Sequence, residues 1–270
     1  MSRCLLLLLF VGHMATAQSS FHTGDFSIAN PWEQGQDTTF PGHMFTFARV
    51  RYSSLGQRWG WDTDYPESDI NFSLRLGELT TIQVNRDKQG RIVHVVLDLD
   101  DDRIFNFPFL YMVEVGNLHL SDYEGERLRE YLLRGGFLLV DDFWGESEWY
   151  NWVNQLDKVF PDKEAFPFVE VPLTHTIFHA VFNLDEVPQV PSVNTWVYGR
   201  ETAEYQAMGE PASCHGVFDR EGRLMMAVLH NTDLGDGWER EGENFEYFRL
   251  FSVARAYPLG INIVVYAMTH

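Results

Sequence analysis

Four polar clusters stand out along the chain: Arg49 and Arg51 ahead of Asp62 and Asp64; Asp141 and Asp142 with Glu148; His175 and His179; and His230-Asn231-Thr232-Asp233, followed by Asp236 and Glu239. Each follows a stretch that reads as a strand or opens one that reads as a helix. If they converge, the site holds several carboxylates, two or three imidazoles and one or two guanidinium groups. That mixture suits a divalent metal, of unspecified identity, or a polyhydroxylated ligand. For a hydrolytic site, Asp141 or Asp142 is the candidate base or metal ligand, with His175, His230 or Asp233 assisting. For a recognition site, the candidates are Arg49, Arg51, Asp62, Asp64, Trp144, His230, Asn231, Asp233 and Asp236.

Plainer readings stand beside these. Asp141-Asp142 precedes Phe143-Trp144-Gly145 and can simply cap the next helix or turn, because aspartate favours such positions for local hydrogen bonding. His175 and His179 are spaced as in zinc-binding helices, but the segment is His-Thr-Ile-Phe-His and lacks the intervening glutamate of a zinc protease. Asp233 and Asp236 fit an ordinary Asx-type loop, with calcium the alternative because Asp-rich loops with glycine can supply oxygen ligands, although their spacing does not match an EF-hand. Cys214 and His215 are adjacent on a strand, so their side chains point to opposite faces and do not make a catalytic pair. Trp59, Trp61, Tyr65, Trp144, Trp149 and Trp196 could line a sugar cleft or fill a core. Nucleophile-elbow, phosphate-loop and dinucleotide-binding glycine motifs are all missing, which removes support for serine hydrolases, nucleotide hydrolases and dinucleotide-dependent oxidoreductases.

The elements that must position these residues follow from periodicity. Strands are expected at Phe45 to Tyr52, with Arg49 and Arg51 on its other face or at its end, and at Ile92 to Leu99, Phe109 to Val115, Phe137 to Val140 and Phe168 to Val171. A hairpin is expected over Ser213 to Asp219 and Arg223 to His230, and a further strand at Trp196 to Gly199. Helices are expected over Ser68 to Leu79, from a Ser121/Glu124 capping box to Gly135, from Ser147 to Phe160, and from Asn244 to Ala256. A short helix or turn is expected at His175 to Phe182, and Pro258 separates a last apolar segment, Ile261 to Met268. Alternating strands and helices with continuous apolar strand runs imply a three-layer α/β fold with a mainly parallel sheet and a β-hairpin addition. In such sheets ligands bind beyond the carboxyl ends of the strands.

The start of the chain reads as a secretory signal over residues 1–17: Arg3, the apolar run Leu5 to Val11, then Ala15-Thr16-Ala17. Residues 18–43 read as a loose leader and 44–270 as one α/β domain, in an exported protein, periplasmic or extracellular. Loss of Cys4 with the signal leaves Cys214 alone, so no internal disulfide is expected. No later segment is expected to cross a membrane. The formal charge of -19, from 39 acidic and 20 basic residues, disfavours nucleic acid as a partner. A small molecule, a glycan or an envelope protein remains. The reading asking least of the residues is a non-catalytic ligand-binding or assembly module; the alternative is a metal- or carboxylate-dependent hydrolase of an envelope or extracellular polymer.

Several segments resemble a bacterial family known as domain of unknown function 4159. They are Phe47-Ala48-Arg49-Val50-Arg51-Tyr52, Trp61-Asp62-Thr63-Asp64-Tyr65-Pro66, Leu132 to Phe143, His175-Thr176-Ile177-Phe178, Asn231 to Glu239 and Leu259 to Ala267. The resemblance implies a flavodoxin-like, class I glutamine-amidotransferase-like sheet and carries no established reaction. Amidotransferases need a cysteine elbow after a strand. The stretch Gly136 to Asp142 offers carboxylates there instead, so glutamine hydrolysis is not expected and any hydrolysis would use activated water.

Overall fold

The computed structural model describes residues 44–54 and 60–270. The proposed signal and leader, and Trp59, lie outside the described residues. Strands β1 (Phe47–Arg51), β3 (His94–Asp98), β4 (Phe109–Val113), β6 (Phe137–Asp141) and β9 (Leu224–His230) run parallel. β7 (Phe168–Glu170) and β8 (Ser213–Phe218) extend the β9 edge through antiparallel pairing, while β2 (Ser53–Ser54) and β5 (Leu118–His119) pair separately. The large sheet has the order β3-β1-β4-β6-β9-β8-β7. Counted along the chain, its parallel strands run 2-1-3-4-5, a doubly wound order whose ligand crevice opens where the order reverses.

The central strands β4, β6 and β9 are almost wholly apolar because both sheet faces are covered. Phe47, Phe109, Tyr111, Phe137 and Leu229 face α1 (Glu67–Leu79), α4 (Leu234–Glu239) and α6 (Tyr257–Thr269). Ala48, Val50, Leu110, Leu138 and Val228 face α2 (Asp122–Leu133) and α3 (Gly145–Val159). Trp238 fills the first layer and Trp152 the second, both fully buried. Burying such a ring is worth ~4–6 kcal/mol at about 25 cal/mol per Å². The expected capping box is present: Ser121 Oγ accepts from Glu124 N at 3.2 Å and Glu124 Oε2 accepts from Ser121 N at 2.7 Å.

Five expectations need correction. Arg49 lies on the same face as Phe47, not across from it, and is fully buried because Asp69 of α1 meets its charge there. Trp196 to Gly199 is not a strand but part of a π-helical turn, Thr195–Gly199, packed through Trp196 on Phe251. Helix α3 begins at Gly145, and Glu148, not Ser147, accepts from the first free N–H, that of Trp144. Pro258 does not break the C-terminal helix: α5 (Phe245–Tyr247), a π-helical stretch (Phe248–Ala256) and α6 are continuous. Pro258 lies just past the π-helical stretch, inside the continuous helix, where its missing N–H removes one helical hydrogen bond. This run, Phe245–Thr269, is long and apolar enough to cross a membrane, contrary to expectation, but 67% of its apolar window is buried inside the fold.

Candidate functional site

The carboxyl ends of β1, β4, β6 and β9 deliver a cluster of acidic side chains through unusual backbone. Of the five non-glycine residues with positive φ among the described residues, four follow these strands: Asp64 (61°), Glu114 (56°), Asp142 (52°) and Asn231 (59°). Asp and Asn tolerate this left-handed region better than most residues, yet each such placement costs ~1–3 kcal/mol and persists only where the surroundings enforce it.

Asp64, Asp142 and Asp233 each offer a carboxylate oxygen within 4.8 Å of the others, and Asp64, Asp236 and Glu239 form a second such group. Asp142 is held by Trp144, whose Nε1 donates to its Oδ1 at 2.8 Å. Asp233 caps α4, accepting from Asp236 N at 2.6 Å. Asp141 Oδ2 accepts from the Tyr111 hydroxyl and from Gly235 N, both at 3.0 Å. Asp64 Oδ2 and Asp141 Oδ1 are buried and accept no hydrogen bond. The cradle has a floor without a side chain: a Cβ on Gly235 would collide with Asp64 Oδ2 and sit 2.9 Å from the Tyr111 hydroxyl and 3.4 Å from Asp233 Oδ1.

Burial, reinforced by mutual repulsion, pushes Asp64, Asp142 and Asp233 well above the carboxylate range. Burial raises Asp141 to about 6 and Asp236 to about 7. Beside Asp142, burial and the charge of Glu148 raise Glu114 to about 8. Among the described residues, two guanidinium groups lie near. Arg49 is committed to Asp69 (2.6 Å) and to the carbonyls of Trp61 and Thr63 (both 2.9 Å), and so fixes the loop that carries Asp64. Arg240 pairs with Asp236 at 3.4 Å and with Glu239. No basic side chain forms an ion pair with Asp64, Asp142 or Asp233 among the described residues. An all-oxygen set with excess negative charge and unpaired buried oxygens is the donor chemistry of a hard divalent cation.

Asp64, Asp141, Asp142, Asp233 and Asp236 thus converge, with Arg49 and Trp144 as supports. Asn231 ties the end of β9 to α3, its Oδ1 accepting from Gly145 N at 2.9 Å. His230 stands aside, with Nε2 3.1 Å from the Gly145 carbonyl and its ring against Phe143 and Trp149. Arg51 pairs with Asp98 at the surface, and Asp62 is exposed. His175 lies at the opposite end of the sheet, against Phe218 and Tyr266; the Tyr266 hydroxyl accepts from Leu224 N at the start of β9. The anticipated imidazoles are therefore not part of the carboxylate group. Asp141-Asp142 does not cap α3, although Asp141 does accept from Gly235 N in α4. Tyr111, Glu114 and Gly235 were not anticipated. Glu114 immediately follows an apolar strand run, and Tyr111 is the one polar tip within it.

The profile of a family described as a domain of unknown function (DUF4159) matches residues 46–268. No curated protein matches the sequence. The chain belongs to the DUF4159 family.

Proposed function

We propose that this is an exported divalent-cation-binding domain in which Asp64, Asp142 and Asp233 ligate a hard cation at the carboxyl ends of the parallel strands. The cation would serve to recognise an oxygen-rich small molecule, a glycan or an envelope protein. The observation that carries this reading is the pair of buried, unpartnered oxygens, Asp64 Oδ2 and Asp141 Oδ1, beside three converging carboxylates. A buried charge without a partner costs several kcal/mol or takes up a proton instead. A cation of charge two removes that cost at every ligand together. With no thiolate or imidazole in the group, Ca²⁺, Mg²⁺ or Mn²⁺ fits better than Zn²⁺. The basic start, apolar run and Ala15-Thr16-Ala17 support export, and the N-terminus of protein recovered from outside the cytoplasm, expected at Gln18, tests it.

A second reading, hydrolysis by cation-activated water, draws on Glu114. Raised to about 8 by burial and by Glu148, it stays protonated at neutral pH near Asp142, as a general acid must. The deciding experiment is metal analysis of the purified protein with a Ca²⁺, Mg²⁺, Mn²⁺ and Zn²⁺ thermal-shift series. Stabilisation by ~2.7 kcal/mol is expected with a cation at 100 times its Kd. An absence of bound metal and of any shift refutes the proposal.

A further inference from the structure

The two acidic groups share a residue. Asp64 lies within 4.8 Å of Asp142 and Asp233 on one side and of Asp236 and Glu239 on the other. We propose that the centre takes two hard divalent cations bridged by the Asp64 carboxylate, the first completed by Asp142 and Asp233 and the second by Asp236 and Glu239. The inference rests on the cation-binding reading above and extends it to the stoichiometry and bridging of the site.

Charge balance carries it beyond proximity. Among the described residues the five carboxylates face one available guanidinium, Arg240, because Arg49 is spent on Asp69. Once Arg240 gives way, one divalent cation would leave three of the five negative charges uncompensated in a largely buried site, whereas two leave one. Asp141 is served separately by the Tyr111 hydroxyl and the Gly235 amide. The unpartnered Oδ2 of Asp64, the carboxylate common to both groups, is the independent sign that the bridging residue awaits a ligand. Arg240 is 35% exposed and also reaches Glu243 at 3.3 Å, so its side chain can leave Asp236 and Glu239 without being stranded. Asp236 is fixed for ligation from behind, since one of its oxygens accepts from the Val193 amide.

Mn²⁺ titration of the whole protein, followed by calorimetry and electron paramagnetic resonance, tests the idea. Two Mn²⁺ per chain are expected, and Glu239→Gln should reduce this to one while the six-line signal of an isolated ion replaces the spectrum of a coupled pair. Asp236→Asn should do the same, and circular dichroism on both variants checks folding. A single Mn²⁺ in the natural protein, or two that persist in both folded variants, overturns the bridged pair but leaves the single-cation site standing. No Mn²⁺ at all overturns both readings.

Discussion

Substituting Gly235 by alanine tests the cation site by shape alone, without changing its charge. Gly235 is the second residue of α4 and its φ lies outside the positive range reserved for glycine, so the backbone accepts alanine and helix propensity gains up to ~1 kcal/mol. The added Cβ lands on Asp64 Oδ2, 2.9 Å from the Tyr111 hydroxyl and 3.4 Å from Asp233 Oδ1. Relief requires Asp64 to retreat by several tenths of an ångström, whereas metal-ligand distances tolerate about 0.2 Å. Disturbing even a group behind a ligand weakens metal binding about 10- to 100-fold, or ~1.4–2.8 kcal/mol; displacing the Asp64 ligand itself should do at least as much. Calorimetric titration with Ca²⁺ and Mn²⁺ measures this, with the melting temperature of the metal-free variant as the folding control. A well-folded variant that binds either cation as tightly as the natural protein would refute the assignment of the cradle.

The raised carboxyls give the metal-free protein a characteristic pH dependence. Asp141 at about 6, Asp236 at about 7 and Glu114 at about 8 hold protons that the unfolded chain releases near pH 4, so their contribution to stability is complete below pH 4 and disappears as the pH rises through 6–8. Urea unfolding with chelator should show this fall, and Glu114→Gln should recover up to ~5 kcal/mol at pH 9, at about 1.4 kcal/mol per tenfold change in proton affinity; a flat profile contradicts the reading. Arg49→Met leaves Asp69 buried and uncompensated and frees the carbonyls of Trp61 and Thr63. It should cost ~3–5 kcal/mol in chemical denaturation and weaken cation binding through Asp64. His175→Ala, at the far end of the sheet, should leave cation affinity within twofold by calorimetry, and a larger change would show that the histidine belongs to the site after all.

Period and composition made the scaffold legible. Apolar runs marked β4 and β6, the hairpin pattern marked β9, the Ser121/Glu124 pair marked the start of α2, and the rule that ligands gather at strand carboxyl ends pointed to Asp141, Asp142 and Asp233 from the sequence alone. It misled at His175, because a residue that follows a strand need not remain at that strand's end. After β7 the chain turns back across the sheet face, where Val171 and Ile177 are buried in the first layer. The five residues Val171–His175 can span up to ~16 Å when extended, about the length of a short strand. Arg49 was misjudged for a different reason: an arginine in an apolar strand looks exposed until its counter-ion is known, and Asp69 lies on another element, 20 positions later. The Glu114 environment was equally inaccessible, since burial and the approach of Glu148 create it only in the folded chain.

The shape of the backbone bears on which chemistry the centre can do. Strand β6, then Asp142 in the left-handed region, then α3 is the path of a nucleophile elbow, a sharp turn that thrusts one side chain out at the carboxyl edge of a sheet. Here that side chain is a carboxylate held by Trp144. The one thiol among the described residues, Cys214, is buried in the core with its pKa pushed up by that burial, so thiol-based acyl transfer finds no nucleophile at this turn. Strain at Asp64, Glu114, Asp142 and Asn231, at ~1–3 kcal/mol each, adds to the repulsion among the carboxylates. Together these costs are a large part of the ~5–15 kcal/mol that holds a typical domain folded. A helix cap or a core polar contact would not need such a concentration of cost, because a capping carboxylate ends on an N–H and Asp64 Oδ2 does not. Bound cations would offset both the repulsion and the unpaired oxygens, which accounts for why the destabilising features share one end of the sheet.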